Sequence, residues 1–258
     1  MSTAPFVTAI VPCLDEETAI GGVVDGLLAN GVDAVLVVDG GSQDTTRERA
    51  AAAGARVLLE RRRGYGRAIQ TGIAALPPET SIVLFVDGDG SDRLDRAPAL
   101  LDPIRAGRAD FVHGSRIRGC REPGSMSPQQ IVAGHLAGWL LRVAYGARFT
   151  DMSPFRAIGR DALARLGMQD ETYGWNLEML MRASAAALRC EEVAVGQRPR
   201  QGEPPRCPVT GAWACAPPGS SARPSCGSPA RCPESGAQPA DAPRFRSRCG
   251  RAARRSRR

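Results

Sequence analysis

Acidic residues follow three apolar segments of the sequence, at the point where each segment ends. Asp15 and Glu16 follow the first segment, Asp39 follows the second, and Asp87, Asp89 and Asp92 follow the third. Ligands of open α/β sheets bind at the carboxyl ends of parallel strands, which meet at one edge. If the three segments are such strands, these carboxylates share one site.

The motif Asp87-Gly88-Asp89 carries the sharpest chemical signal. Two carboxylates separated by one small residue can turn toward the same point, and hard oxygen ligands suit Mg²⁺ or Mn²⁺. Such a cation would bridge a diphosphate and stabilise it as a leaving group. A simple Asp-Gly turn is the alternative, and the buried apolar run that precedes the motif favours the metal site.

The elements that position these residues follow from the hydrophobic pattern. Short β-branched runs predict strands at 6–11, 34–38, 55–59, 81–86 and 110–113. Segments of helical length and periodicity lie between them at 17–30, 45–53, 65–76 and 94–106. This alternation predicts an α/β fold, Rossmann-like, with an open and mostly parallel sheet flanked by helices.

Residues 115–200 continue with a mixture of helical and extended patterns. Helices are predicted at 129–145, 160–166 and 173–187, and extended segments near 151–158 and 189–195. This stretch has few apolar clusters, so we expect it to pack against the first sheet rather than to fold alone. Residues 1–200 are therefore predicted to form one domain.

The basic character of the chain belongs to its last 58 residues. The net charge is +7 and no lysine occurs, while residues 201–258 hold 11 Arg against Glu203, Glu234 and Asp241, together with 5 of the 8 Cys and 10 of the 20 Pro. This composition cannot bury enough apolar area to offset its ordering entropy, which predicts a disordered tail. A nucleic-acid-binding arm is the functional alternative. We favour the interpretation that the tail is not selected protein sequence. We therefore expect no nucleic-acid partner.

No segment reaches the ~18–20 uninterrupted apolar residues of a membrane span. The nearest, residues 131–149, is interrupted by His135, Arg142 and Arg148. Residues 1–5 lack the cationic start of a signal peptide. We expect a cytoplasmic protein with at most peripheral contact at the inner face of a membrane, and the sequence leaves the oligomeric state open.

Seven segments occur in the order and spacing of a known family. They are 9–17 (AIVPCLDEE), 37–46 (VVDGGSQDTT), 64–72 (GYGRAIQTG), 85–89 (FVDGD), 114–116 (GSR), 150–156 (TDMSPFR) and 173–178 (YGWNLE). Together they resemble family 2 glycosyltransferases with the GT-A fold. The last two are similar to the branch of polyprenyl-phosphate (dolichyl-phosphate) mannosyl- and glucosyltransferases.

The resemblance implies an inverting, metal-dependent transfer of a sugar from a nucleotide-diphosphate donor to an acceptor, with a polyprenyl phosphate as the candidate acceptor. It divides the domain into a nucleotide-binding half, 1–114, and an acceptor half, 115–200. In the first half, Pro12, Leu14 and Glu16 would line the nucleotide pocket. Asp39 would accept a hydrogen bond from the base.

The same resemblance assigns the charged residues. Asp87 would face the ribose or the donor sugar, and Asp89 would hold Mg²⁺ or Mn²⁺ on the diphosphate, with Asp87 as the second carboxylate of the pair. Arg67 and Arg116 would meet phosphate or sugar oxygens, and Arg156 would lie by the acceptor or the diphosphate. For each arginine a solvated cation or surface ion pair is the alternative.

Glu178 is expected near the reacting centre. A hydroxyl acceptor needs a base to remove its proton, whereas a phosphate acceptor is already an anion. Glu178 would therefore either abstract a proton or orient other groups, and an exposed helix residue is the alternative.

The sequence departs from the family pattern at three places. Asp15 stands where the family has Asn, and Gly40 where it has a second acidic or amide residue. A Gly-x-Ser-Lys-like segment that follows residues 198–200 in the family is replaced here by residues 201–211. Codons shifted by one restored base would bring that pattern back, so we hypothesise a frameshift after about residue 202. Donor binding would survive it, with transfer weak or absent.

Two other classes fit parts of the sequence. A nicotinamide-dependent Rossmann enzyme requires G-x-G-x-x-G after the first strand, where residues 12–16 (PCLDE) stand instead. The stronger alternative is a binding protein without turnover, either a degenerate transferase or a basic-tailed nucleic-acid protein.

Overall fold

The computed structural model describes residues 4–125, 128–147 and 149–202 of the chain. Gln201 and Gly202, the first residues of the predicted tail, are among them. The prediction of a disordered tail otherwise concerns residues 203–258, which lie outside the described residues.

Within these ranges the chain alternates strands and helices as the hydrophobic pattern predicts. The strands are β1 (Phe6–Cys13), β2 (Ala34–Asp39), β3 (Arg56–Leu59), β4 (Thr80–Phe85), β5 (Phe111–Ser115), β6 (Arg156–Gly159) and β7 (Cys190–Ala194). The helices are α1 (Ile20–Ala29), α2 (Thr46–Ala52), α3 (Tyr65–Ala74), α4 (Ala97–Arg105), α5 (Pro128–Tyr145), α6 (Arg160–Leu166) and α7 (Trp175–Ala185), with a 3₁₀ turn at Leu94–Arg96 before α4. None of the helices in the described ranges is long and apolar enough to cross a membrane.

The strands form one mixed sheet in the order β3-β2-β1-β4-β6-β5-β7. β1 pairs in parallel with β2 and β4, and β2 with β3. β6 runs antiparallel to both of its neighbours, β4 and β5, and β7 is parallel to β5. The prediction of a mostly parallel sheet flanked by helices is confirmed.

Helices cover both faces of the sheet, and the side chains of β1 are buried on both faces. Val7, Ala9 and Val11 point into a core with residues of α1 and α4. Ile10 points into the opposite core, which includes residues of α3, α6 and α7. Successive side chains of a strand alternate between faces, so a strand buried on both sides is apolar at most positions. The polar exception, Thr8, shares a hydrogen bond with Thr80 (2.8 Å).

Candidate active site

The loops that follow β1 and β2 are fastened to each other at the carboxyl edge of the sheet. The backbone N–H of Asp15 donates to Ser42 Oγ (2.9 Å), and that of Gln43 donates to Asp15 Oδ1 (2.9 Å). The Glu16 N–H donates to Thr46 Oγ1 (2.8 Å). Asp15 adopts φ +54°, a left-handed conformation that Asp and Asn tolerate better than most residues. The loop that carries Asp15 and Glu16 therefore lies directly beside the loop that follows Asp39.

Asp39 stabilises the loop after β2. It is fully buried, and its carboxylate accepts hydrogen bonds from the N–H groups of Gly41 and Ser42 (both 3.0 Å) and from the Ser42 hydroxyl. Arg47 Nε lies 3.8 Å from Asp39 Oδ2. The structure thus places Asp39 at the expected edge, with its carboxylate engaged by its own loop.

Gly88 brings the Asp87–Asp89 loop against the end of β1. A Cβ atom on Gly88 would lie 2.9 Å from Cys13 Cβ and 3.3 Å from the Pro12 carbonyl oxygen. Real Cβ atoms essentially never approach another atom within 3.0 Å. The residue between the two carboxylates must therefore be glycine for the loop to lie this close to Pro12.

Neighbouring groups orient the two carboxylates. Tyr65 Oη donates to Asp87 Oδ1 (3.2 Å), and the Ser91 N–H donates to Asp89 Oδ1 (2.9 Å). Burial, and then the charge of Asp89, raise the pKa of Asp87 to about 6. Tyr65 was not predicted as a site residue, although it lies within the family-like segment 64–72.

A third carboxylate, Asp92, lies behind this pair. Asp92 Oδ2 accepts a hydrogen bond from the Asp87 N–H (3.2 Å), while its buried Oδ1 has no hydrogen-bond partner among the described residues. Burial and the charges of Asp87 and Asp89 raise the pKa of Asp92 well above its usual value. Burial and mutual repulsion therefore make these carboxyl groups hold their protons more tightly than isolated ones do.

Arg200 spans the two acidic loops. Its guanidinium pairs with Glu16 and lies 3.4 Å from Asp89 Oδ2. Burial raises the pKa of Glu16 to about 7, although the Arg200 charge opposes that rise. The N–H of Gln201 also donates to the Asp89 carbonyl (2.9 Å). Sequence reasoning missed Arg200 as a site residue.

The residues present fit a divalent cation. Asp87 and Asp89 offer two carboxylates on one loop, and a cationic side chain, Arg200, already faces one of them. No group of three His, Cys, Asp or Glu side chains in the described part of the chain could enclose a metal by itself. A cation held here would take its remaining ligands from a diphosphate and water.

Two of the predicted arginines form ion pairs with carboxylates of the acceptor half, 115–200, and the charge of Arg116 also acts to lower the pKa of Asp87. Arg116 makes a two-pronged pair with the buried Asp151, at 2.7 Å and 2.8 Å. Arg67 pairs with Glu171, and its N–H donates to the Glu171 carbonyl (3.1 Å). The structure does not bring Arg67 to the Asp87–Asp89 pair.

Arg156 is fully buried at the start of β6. Its guanidinium donates to the backbone carbonyls of Pro154 (3.3 Å), Asn176 (3.0 Å) and Ser153. Burial lowers the pKa of Arg156 to about 10, while the nearby Tyr65 and acidic residues oppose the change. A buried cation held by neutral carbonyls is costly, which is a feature expected of a functional site rather than of a stabilising contact.

Two further predicted site residues are Glu178, on α7, and Leu14, directly after β1. The Glu178 carboxylate accepts from the N–H groups of Gln169 (3.1 Å) and Asp170 (2.8 Å) and from Arg182 Nε (2.6 Å). It therefore fixes the loop before α7 and is not brought to Asp89. Leu14 is 45% exposed and lies over Gly40, at the edge where Pro12 and Glu16 also lie.

Comparison with known proteins identifies the family. The model of "Glycosyl transferase family 2" matches residues 8–167. An uncharacterized glycosyltransferase of Mycobacterium tuberculosis is 38% identical over 198 residues, which are 76% of this chain and 87% of the relative. The dolichyl-phosphate hexose transferase of Haloferax volcanii is 32% identical over 204 residues, 78% of this chain and 86% of the relative.

A solved structure supports the fold. Glucosyl-3-phosphoglycerate synthase from Mycobacterium tuberculosis, in complex with Mn²⁺, uridine diphosphate and phosphoglyceric acid, superposes with a TM-score of 0.63 at 24% identity. The match covers 78% of this chain and 72% of the synthase. The GT-A fold expected from the sequence is confirmed. Since the family model spans more than half of the chain and a relative 38% identical is matched over 87% of its length, the chain belongs to glycosyl transferase family 2 and is a glycosyltransferase.

Proposed function

We propose that this protein binds a nucleotide-diphosphate sugar at the edge formed by the loops after β1, β2 and β4. It transfers the sugar, with inversion, to an acceptor. The observation that carries the proposal is the position of Asp87 and Asp89 on the loop after β4, where Arg200 joins Asp89 to Glu16 and the charges of both aspartates act on Glu16. A structural neighbour contains Mn²⁺ and uridine diphosphate, which supports a diphosphate donor.

In this proposal Asp89 and Asp87 hold Mg²⁺ or Mn²⁺. When bound, the cation supplies positive charge that stabilises the leaving diphosphate. Pro12, Leu14 and Glu16 line the nucleotide pocket. The other residues of the site position these groups before the donor arrives, which lowers the cost of reorganisation.

Residues near the reacting centre hold charge in fixed places. Tyr65 keeps Asp87 turned toward the site through its 3.2 Å hydrogen bond. Arg156, held by three carbonyls, supplies a fixed positive charge for the acceptor or the diphosphate. Asp39 accepts a hydrogen bond from the base. Arg67 and Arg116 contact phosphate or sugar oxygens while they remain paired with Glu171 and Asp151.

A lipid phosphate is the acceptor that we propose. One relative is named for a dolichyl-phosphate acceptor. The Glu178 carboxylate, engaged by the 169–170 loop and Arg182, is suited to orientation rather than to proton abstraction. An anionic phosphate nucleophile needs no base. The enzyme would then work in the cytoplasm, in peripheral contact with the inner face of a membrane.

A thermal-shift screen of nucleotide sugars tests donor binding. We expect the melting temperature to rise with uridine- or guanosine-diphosphate sugars only when Mn²⁺ or Mg²⁺ is present, because ligand binding stabilises the folded state. Asp89→Ala should abolish the shift. Asp95→Ala, which removes an exposed acid in the turn that follows the same loop, is the matched control and should preserve it. A shift that persists in Asp89→Ala would contradict the metal role.

A transfer assay with a polyprenyl phosphate distinguishes an active enzyme from a degenerate one. Product formation supports the lipid acceptor, and donor binding without product identifies a protein that binds nucleotide sugar without turnover. The frameshift hypothesis is tested by resequencing the gene. A reading frame that encodes a Gly-x-Ser-Lys-like segment after about residue 202 supports it, and an unchanged frame contradicts it.

A further inference from the structure

Helix α5 is apolar on the side that faces away from the core. Val132, Leu136, Trp139, Leu140 and Val143 are each between 52% and 67% exposed. With 3.6 residues per turn, these five side chains fall within about 100° of one another around the helix axis. We call them the outer face of α5.

The exposed hydrophobic side chains are concentrated on the outer face. Eleven large hydrophobic residues are exposed in the described part of the chain, and five of them belong to this one face. The opposite side of α5 is buried, as Ala137 at 8% and Leu141 at 3% show. Contiguous apolar patches on a protein surface mark interaction sites, whereas single exposed residues do not.

The segment that contains α5 carries positively charged side chains and no negatively charged ones. No Asp or Glu occurs between residues 123 and 150, although the chain has 27 acidic residues. The exposed cation Arg142 and the exposed His135 lie on one flank of the outer face. Cationic and apolar side chains on one helix, with a tryptophan among them, form the pattern of a helix that lies in a membrane surface.

A second copy of the chain fits this face less well. A two-fold symmetric contact would place α5 against α5. It would bring the two Arg142 cations to the same interface, with no acidic residue on the helix to neutralise them. An anionic lipid headgroup supplies the missing negative charge.

We propose that α5 lies in the surface of an anionic bilayer, with its outer face among the acyl chains and Arg142 at the level of the headgroups. The inference assigns a surface to the peripheral contact in the proposed function. It does not depend on donor binding or on sugar transfer, so each can fail without the other.

Vesicle flotation with the full chain tests the inference. We expect the protein to float with vesicles of mixed phosphatidylglycerol and phosphatidylcholine and much less with phosphatidylcholine alone. The double variant Leu136→Glu, Trp139→Glu should lower the bound fraction about tenfold or more, because each change removes apolar area and adds negative charge. Leu28→Glu, at an exposed leucine on α1, is the matched control and should bind as the wild type does.

Tryptophan quenching by brominated lipids locates the contact. Trp175 is 1% exposed and the third tryptophan, Trp213, lies outside the described residues. Quenching that comes from Trp139 should disappear in Trp139→Phe, which still floats. Quenching that persists in Trp139→Phe, or flotation that persists in the double variant, would place the contact elsewhere, such as in residues 201–258, and overturn the proposal. A wild-type dimer that the double variant disrupts, without vesicle binding, would overturn it in favour of a second copy. Asp89→Ala should still float, which separates this test from that of the proposed function.

Discussion

Gly88 decides how closely the two carboxylates approach the first strand. Its Cα position leaves no room for a methyl group between Cys13 Cβ and the Pro12 carbonyl. The loop can move away only by displacing Asp87 and Asp89 from the edge of the sheet. One hydrogen atom at this position is thus required for both packing and the proposed metal site.

We expect Gly88→Ala to lower the free energy of unfolding by about 1–3 kcal/mol, the usual cost of overpacking. It should also weaken Mn²⁺-dependent nucleotide binding. Urea denaturation and thermal shift measure the two effects. Gly21→Ala is the matched control, because no atom lies within 4 Å of its added methyl group. In the first turn of α1 it should raise stability, by at most about 1 kcal/mol, and equal effects of the two changes would contradict this account.

In the proposed site, Arg200 would compete with a divalent cation for the Asp89 carboxylate. Its guanidinium lies 3.4 Å from Asp89 Oδ2 and also pairs with Glu16. We expect Arg200→Gln to strengthen Mn²⁺ binding in the absence of nucleotide by on the order of tenfold, because it removes one positive charge from the site. Titration calorimetry measures the affinity.

The control for this prediction is Arg198→Gln, since Arg198 lies 3.8 Å from Asp95 and 3.7 Å from Glu122 rather than beside the site. Mn²⁺ affinity that is unchanged in Arg200→Gln, or raised equally in both variants, would show that the Arg200 contact does not oppose metal binding.

Some residues of the site could be predicted from the sequence, and others could not. Asp87 and Asp89 follow an apolar strand, so their location at the sheet edge could be predicted. Arg200 is separated from Asp89 by 111 residues and from Glu16 by 184. No sequence pattern near Arg200 indicates this pairing, because it depends on the position of β7 in the sheet and on the path of the chain after it.

At the scale of the elements, the ion pair of Arg116 and Asp151 joins the end of β5 to the segment before β6. Both side chains are largely buried, and the guanidinium donates to both carboxylate oxygens. Burial acts to raise the pKa of Asp151, but the hydrogen bonds and charge of Arg116 lower it below its usual value. The pair fixes one short strand relative to the other.

We expect Asp151→Ala to lower the free energy of unfolding by about 3–5 kcal/mol, because it leaves a buried guanidinium without its carboxylate. Arg189→Gln breaks a more exposed pair with Asp110 and should cost about 1 kcal/mol or less. Chemical denaturation of both variants gives the comparison. A similar loss in the two would mean that burial does not set the strength of these pairs.

Elements with strong periodicity were predicted well, and those fixed by long-range contacts were not. Helix α6 occupies the predicted residues 160–166 because its pattern is complete within the segment. Helix α1 was expected from residue 17 but begins at Ile20, because the loop before it is held by Ser42 and Thr46. The direction of β6 cannot be read from residues 151–158, since it depends on pairing with β4 and β5.

For the whole molecule, His113 couples stability to pH. It is fully buried on β5, and its ring lies edge-on to Phe149 at 5.6 Å. Burial, and then the charge of Arg156, lower the pKa of His113 to about 3. An unfolded histidine titrates near pH ~6.5, so the unfolded chain binds one more proton than the folded chain between these values.

The free energy of unfolding should therefore fall as the pH falls from ~6.5 toward ~3, by about 1.4 kcal/mol per pH unit from this residue. We expect His113→Phe to reduce the slope by that amount. Urea denaturation at several pH values measures the slope. Identical slopes in wild type and His113→Phe would contradict the assignment.

Strand β6 also determines what happens when the chain is cut. It follows β4 and β5 in the sequence but inserts between them in the sheet. A fragment that ends at residue 115 would keep β4 paired with β1 but leave its other edge, at Val83 and Phe85, without a partner strand, and open strand edges recruit other chains. Two co-expressed pieces divided after β5 would have to interleave their strands to recover the sheet, so a split of this enzyme would report reassembly of its halves and not their separate folding.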